Sequence, residues 1–260
     1  MKADLNRYED PWTAEVYDYQ SGLKDDDLAF WAALATEADG PILELASGTG
    51  RVAIPLARAG HQVTGLDVSP NMLAVARGKL EREAPEVRSR LRLVEGNMSG
   101  FSLDQEFGSI FIAFRSFQAL LTLREQRRCL ESCARHLRND GRLAINVFNP
   151  RLSNLIKTGD RGQDPLEYMG PDNATVLETW QTEFDTANQR LVGRGRYECT
   201  MPNGVVTIRE HLLELRYFFR FEMEWMLEAC GFEVEALYGN FDRSPFTADS
   251  PEMIFVARRV

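Results

Sequence analysis

Positive charge, histidine, cysteine and long apolar runs are all scarce in this chain of 260 residues. Lysine and arginine number 30 against 39 aspartate and glutamate residues, leaving a formal net charge of -9. Nucleic acid and anionic membranes bind basic surfaces that displace counterions, so this balance argues against both as partners. No apolar run approaches the ~20 residues of a membrane span. Met1 to Pro11 is polar and acidic, without the apolar centre of a signal peptide, and the expected location is cytoplasmic. The four cysteines, Cys129, Cys133, Cys199 and Cys230, read as reduced packing residues. Cys129 and Cys133 stand four apart on an expected helix, but such a pair lacks the two further ligands that zinc needs, and no metal site is expected. With only three histidines, candidates for a general base are few.

What is present is ordinary for a globular protein: 44% hydrophobic and 27% charged residues. The length suits one large domain, or a core domain with an elaboration. Residues 26 to 38 read as an amphipathic helix with acidic residues at its start. Short apolar strands follow at Ile42–Leu45, Gln62–Leu66, Leu91–Val94, Ser109–Phe114 and Leu143–Phe148. Helices separate them: one from Arg51, one opened by Ser69-Pro70 and running through Leu80, and one carrying Leu120, Leu130, Ala134 and Leu137 that closes at Asn139-Asp140-Gly141. Strands alternating with helices at this spacing form a parallel sheet covered on both faces.

The pattern changes after the fifth strand. Stretches near 175–184, 190–200 and 205–215 alternate polar and apolar residues, joined by the turn formers Thr186-Ala187-Asn188 and Pro202-Asn203-Gly204. They read as an inserted antiparallel β meander. A helix at Phe221–Cys230 and two strands, Phe232–Leu237 and Met253–Ala257, close the chain, the last two as antiparallel neighbours. The expected fold is a Rossmann-like α/β fold: a doubly wound, seven-stranded sheet with a reversed final strand pair, plus the meander. The domain reading is an N-terminal helical lid (1–40), a cofactor-binding domain (41–150 and 221–260) and a substrate cap (151–220).

The run Pro41-Ile42-Leu43-Glu44-Leu45-Ala46-Ser47-Gly48-Thr49-Gly50 carries the chemistry. A buried strand ends in a carboxylate and a glycine turn, which brings bare backbone and a helix N-terminus up to a ligand. Asp67 ends the second strand, where a carboxylate reaches across the crevice to the hydroxyls of a ribose. The competing role, helix N-cap, falls also to Ser69. Gly48-x-Gly50-x-x-Ala53 matches the dinucleotide fingerprint as well, so an NAD(P)-dependent oxidoreductase is an alternative reading. Against it, Glu44 would crowd a pyrophosphate with a second anion, whereas a sulfonium or ammonium tolerates it. A non-catalytic cofactor-binding protein is a further alternative.

The runs LELASGTGRVAIPLA, VTGLDVSPNMLAVAR, LVEGNM and FIAFRSFQALL, in this order, resemble the motifs of class I S-adenosylmethionine-dependent methyltransferases. The resemblance covers about residues 40 to 150, the terminal strand pair resembles that family's reversed final hairpin, and the meander resembles that of small-molecule members. It implies S-adenosylmethionine as cofactor. The turn Ala46, Ser47, Gly48 and Gly50, with Glu44 ahead of it, would pass under the methionine part, although the family's first motif glycine is Ala46 here. Asp67 would take the ribose hydroxyls and Val68 and Met72 would pack on adenine. Asn97, where the family often has Asp, would meet the adenine amino group beside Met98. Phe114 would offer backbone contacts, and Tyr17 and Tyr19 would belong to a lid.

Methyl transfer is an in-line displacement with an activated leaving group, so alignment and exclusion of water come first, and a base is needed only for a protonated nucleophile. No catalytic residue is assigned. Arg115, past the fourth strand, and His211, in the third meander strand, are the candidate substrate contacts; His61 and His136 read as structural. Tyr217, Phe218 and Phe219 are candidates for an apolar pocket. The expected partner is a small-molecule methyl acceptor, with the protein a monomer or homodimer. No Asn-Pro-Pro-Tyr-like motif follows the fourth strand, which weighs against nucleobase and protein-amide acceptors.

Overall fold

The computed structural model describes residues 5–6, 10–21, 27–155, 161–162 and 164–260. In chain order the elements are β1 (Leu5–Asn6), α1 (Pro11–Ser21), α2 (Leu28–Thr36), β2 (Ile42–Leu45), α3 (Ala53–Arg58), β3 (Val63–Asp67) and α4 (Pro70–Glu81). Next come α5 (Pro85–Arg90), β4 (Leu91–Glu95), β5 (Phe107–Ile112), α6 (Leu123–His136), β6 (Leu137–Phe148) and α7 (Leu152–Leu155). Then follow β7 (Arg161–Gly162), β8 (Leu166–Met169), β9 (Thr175–Asp185), β10 (Arg190–Thr200) and β11 (Val206–Arg216). The chain ends with α8 (Arg220–Ala229), β12 (Phe232–Tyr238) and β13 (Glu252–Arg259).

A seven-stranded sheet in the order β12-β13-β6-β5-β2-β3-β4 forms the centre. Its middle strands pair in parallel, and β13 enters antiparallel between β6 and β12. Every residue of β2, β3 and β5 is buried, as the unbroken apolar runs require when helices cover both faces. Two apolar clusters lie on the two faces. One joins β2, β5 and β6 to α6 and α8; the other packs Phe30, Trp31 and Leu34 of α2 and the apolar side of α3 against Phe111, Ala144 and Ile254.

Local signals explain the helix starts. The Ser69 hydroxyl accepts from Met72 N at 3.3 Å, with Pro70 at the first helical position of α4. Thr122 and Glu125 form a capping box on α6. That helix ends at His136, so Leu120 precedes it and Leu137 already belongs to β6. The turn signal Asn139-Asp140-Gly141 appears as a bulge inside β6: Asp140 is left-handed (φ 62°), and the pairing jumps from Leu137 to Arg142 while β5 advances two residues. In α2 the expected start at Asp26 lies outside the described residues, and Asp27 is the N-cap.

The inserted meander is present as β9, β10 and β11, paired antiparallel without a break in register. Around it the short strands β7 and β8 add to β9. One connection was unexpected: β1 pairs in parallel with β11, Leu5 opposite His211, so Leu5–Asn6 join the second sheet. Helix α1 leads from that strand back to the central sheet, packing on α4 and β8.

Candidate functional site

Between the carboxyl ends of the central strands and the inner face of the second sheet lies a cavity of about 1020 Å³. This is at the top of the range of ~300–1,000 Å³ usual for small-molecule sites, enough for two ligands side by side.

The first wall is the glycine turn. Ala46, Gly48 and Gly50 all have positive φ, at 55°, 55° and 76°. For Ala46 this is a strained choice, of order 1–2 kcal/mol, where glycine would be at ease. A Cβ added to Gly48 would meet no atom within 4 Å, so the open face of the turn is clear for a ligand, whereas one on Gly50 would stand 3.0 Å from Ile54. Ala46 and Gly48 line the cavity; Ser47 and Gly50 do not and serve the turn from behind. Ser47 Oγ is buried without a partner.

Asp67 lines the cavity opposite. Its Oδ2 accepts from Gly48 N at 2.7 Å and its Oδ1 from Ser69 N at 2.8 Å, while Ser69 does the capping of α4. Burial pushes the Asp67 carboxyl upward, and the backbone N–H groups of Ser69, Gly48 and Val68 pull it back. Each oxygen keeps a lone pair free for a hydroxyl donor. Val68, exposed, and Met72 add apolar wall, and Asn97 and Met98 continue it. Asn97 Oδ1 accepts from Ser99 N at 2.8 Å, an Asx turn that holds the side chain in place.

Glu44 sits beneath this surface rather than in it. It is 3% exposed, and desolvation raises its carboxyl to about 8, opposed by the Arg51 charge and the Ala53 N–H. Its Oε2 has no hydrogen-bond partner. Arg51 itself is tied by a two-pronged bond to Asp27, both contacts at 2.6 Å, and lies 4.8 Å from the centre of the Phe114 ring. Tyr17 meets Phe114 edge-on at 6.2 Å, and both line the cavity. Tyr19 is exposed and does not line this cavity. Helix α1 is pinned over the turn by Asp18, which accepts from Thr49 Oγ1 at 2.6 Å and pairs with Lys79 at 2.8 Å.

The substrate-side expectations divide. Phe114 and Arg115 are consecutive left-handed residues (φ 52° and 64°), a sharp corner that turns Arg115 into the cavity. Its guanidinium is held by Glu252, which also accepts from Asn146 Nδ2 at 2.8 Å. His211 is corrected: it lies off the cavity wall, buried on β11, with Nε2 bonded to Asp10 Oδ2 at 2.8 Å. Its strand position points it to the N-terminal helix, against Trp12 and Tyr197. The Tyr217-Phe218-Phe219 expectation is corrected too. Tyr217 and Phe218 are core residues, Phe219 is largely exposed, and none lines the cavity. His136 is structural as expected, accepting from Leu103 N at 2.9 Å.

Residues that sequence reasoning missed lie on the second sheet. Leu166, Glu178, Trp180, Gly193 and Leu213 form the far wall. The signal was present in β9, where Val176, Glu178 and Trp180 share the buried face, so a carboxylate stands in an apolar register.

A doubly wound sheet with a glycine turn, a strand-end carboxylate and a crevice at the strand ends defines a protein that binds a nucleoside cofactor. Comparison with known proteins narrows this. Residues 42–141 match the methyltransferase domain family. The chain is 25% identical over 255 residues to the cypemycin N-terminal methyltransferase of Streptomyces sp, covering 96% of this chain and 97% of the relative. Its fold superposes on the CcbJ methyltransferase of Streptomyces caelestis with a TM-score of 0.76 at 26% identity, over 96% and 99% of the two chains. It also superposes on S-adenosylmethionine-bound CalS10, an amino pentose methyltransferase from Micromonospora echinaspora, with a TM-score of 0.70 at 21% identity, over 94% and 95%. The chain has the methyltransferase domain and the fold of the class I S-adenosylmethionine-dependent methyltransferases.

Proposed function

We propose that the protein transfers the methyl group of S-adenosylmethionine to a nitrogen or oxygen atom of a small molecule held between the two sheets. The observation that carries this reading is the continuity of the cavity from Gly48 and Asp67 to the inner face of the second sheet. One end suits a nucleoside and the other a separate acceptor.

The residues present fit the cofactor. Gly48 leaves its face of the turn clear, Asp67 keeps acceptor capacity for two hydroxyls, and Val68 and Met72 offer apolar surface for a flat ring. Glu44, buried beneath the turn and raised to about 8, keeps its proton near neutral pH, so it supports the turn without setting the charge of the ligand. S-adenosylmethionine supplies a methyl group on a sulfonium, whose leaving group needs no activation. The chain's part is to hold the reactants in line and keep water out. Tyr17 and Phe114 close the turn side under α1, and Leu166, Trp180 and Leu213 close the other. By name, one relative acts at the N-terminus of cypemycin and one structural neighbour on an amino pentose, which supports a nitrogen acceptor. The acidic composition supports a small molecule over nucleic acid. Among the described residues no helix is long and apolar enough to cross a membrane.

Calorimetry with S-adenosylhomocysteine and with NAD tests this reading. Binding of the former alone is expected; binding of NAD alone would overturn it. Asp67→Ala should weaken S-adenosylhomocysteine by about 10–100-fold, the loss of charge-assisted bonds to two hydroxyls. Unchanged affinity would remove Asp67 from the ribose site.

A further inference from the structure

The inner face of the second sheet holds a carboxylate that the fold leaves unneutralised. Glu178 lies on β9 between Val176 and Trp180, and only 3% of it reaches solvent. Three donors converge on one oxygen, Oε1: Trp180 Nε1, the Gln20 side-chain amide of α1, and the Tyr197 hydroxyl at 3.3 Å. All three are neutral, and among the described residues Glu178 makes no ion pair. The other oxygen, Oε2, is buried without a hydrogen-bond partner. A buried carboxylate left in this state is costly unless something completes it.

The backbone is shaped to keep this arrangement. Gly193 and Gly195 on β10 lie against the Trp180 indole, where an added Cβ would stand 3.2 and 2.7 Å from ring atoms. The two glycines give the ring its seat on β10, and from that seat its N–H reaches Glu178. The surrounding wall is acidic as well. Asp67, Glu125 and Asp164 share the cavity, and the one cation among its described lining residues, Arg115, is already engaged by Glu252.

We propose that Glu178 anchors a cationic amine: the acceptor carries a protonated amino group whose N–H donors bond Oε2 and whose charge balances the carboxylate. This deepens the methyltransferase reading and rests on it for the fate of the bound molecule. A neutral alcohol would supply the hydrogen bond without the charge. An anionic acceptor would meet a wall of its own sign.

The test titrates n-butylammonium, neutral n-butanol and anionic butanoate into the protein, with and without S-adenosylhomocysteine. The readout is the Trp180 indole N–H resonance, since that group bonds Glu178 directly. Butylammonium should bind at least about tenfold more tightly than butanol, a difference of ~1.4 kcal/mol, and butanoate should not bind. Glu178→Gln should abolish the ammonium response while melting at or above the wild-type temperature, because it removes a buried charge. Glu178→Asp should keep a weaker response. Equal binding of ammonium and alcohol, or a response that survives in Glu178→Gln, overturns the proposal. If Glu178→Gln does not fold, the ammonium-to-alcohol comparison on the wild type decides alone. Failure to bind S-adenosylhomocysteine would instead sink the methyltransferase reading, leaving the titration of the free protein to judge Glu178.

Discussion

Glu44 and Glu178 are both buried carboxylates with one bare oxygen, and their surroundings give them different work. Glu44 lies under the glycine turn beside the Arg51–Asp27 pair, and burial raises it to about 8. Its ordinary value is 4.5, so between these limits the folded chain holds a proton that the unfolded chain releases. The stability from this group is full below pH 4.5, falls as pH rises, and is gone above about 8. The slope is at most about 1.4 kcal/mol per pH unit. Denaturant melts of the cofactor-free protein across this window should therefore show declining stability, and Glu44→Gln should flatten the decline. An identical slope in the variant would refute the assignment. Glu44 could be singled out in the sequence as the charge closing an apolar strand. Glu178 shows in the sequence only as a carboxylate in the apolar register of β9, and its partners Gln20 and Tyr197, remote in the chain, do not show at all.

Among the elements, those with their own apolar run or alternation were legible, and those held only by distant contacts were not. The three meander strands occur within two residues of their expected bounds, because strict alternation marks them and Asn188 and Pro202-Asn203-Gly204 punctuate them. Helix α5, six residues opened by Pro85, is too short to show a period. Strand β1 has two residues and exists through its pairing with β11, a contact no local pattern reveals. A lid was expected from the N-terminal segment, but what holds α1 in place was hidden, since its ties are distant: Asp18 to Thr49 and Lys79, Gln20 to Glu178. Asp18→Asn keeps an acceptor for Thr49 and loses the charge for Lys79. It should raise amide exchange across residues 11–21 several-fold, with the global melting temperature shifted by no more than a few degrees. Unaltered exchange there would mean that other contacts hold the helix.

At the scale of the molecule, the central sheet and the second sheet are joined by their shared cavity, and α1 spans both. The central sheet was readable because each of its strands carries its own apolar run. How the second sheet faces it was not, because that depends on which alternate residues of β9, β10 and β11 turn inward. Arg115 shows the same limit: its place at a strand end was foreseeable, whereas its capture by Glu252 on β13 joins residues far apart in the chain. Helix α1, tied near its C-terminal end through Asp18 to the glycine turn and through Gln20 to Glu178, also has a kinetic meaning. Both ties hold α1 against the cavity, and the expected outcome is turnover paced by the opening of this helix rather than by bond making. Steady-state rates should then fall in proportion to solvent viscosity and respond weakly to the basicity of the acceptor. A rate indifferent to added sucrose would show that the helix is no gate.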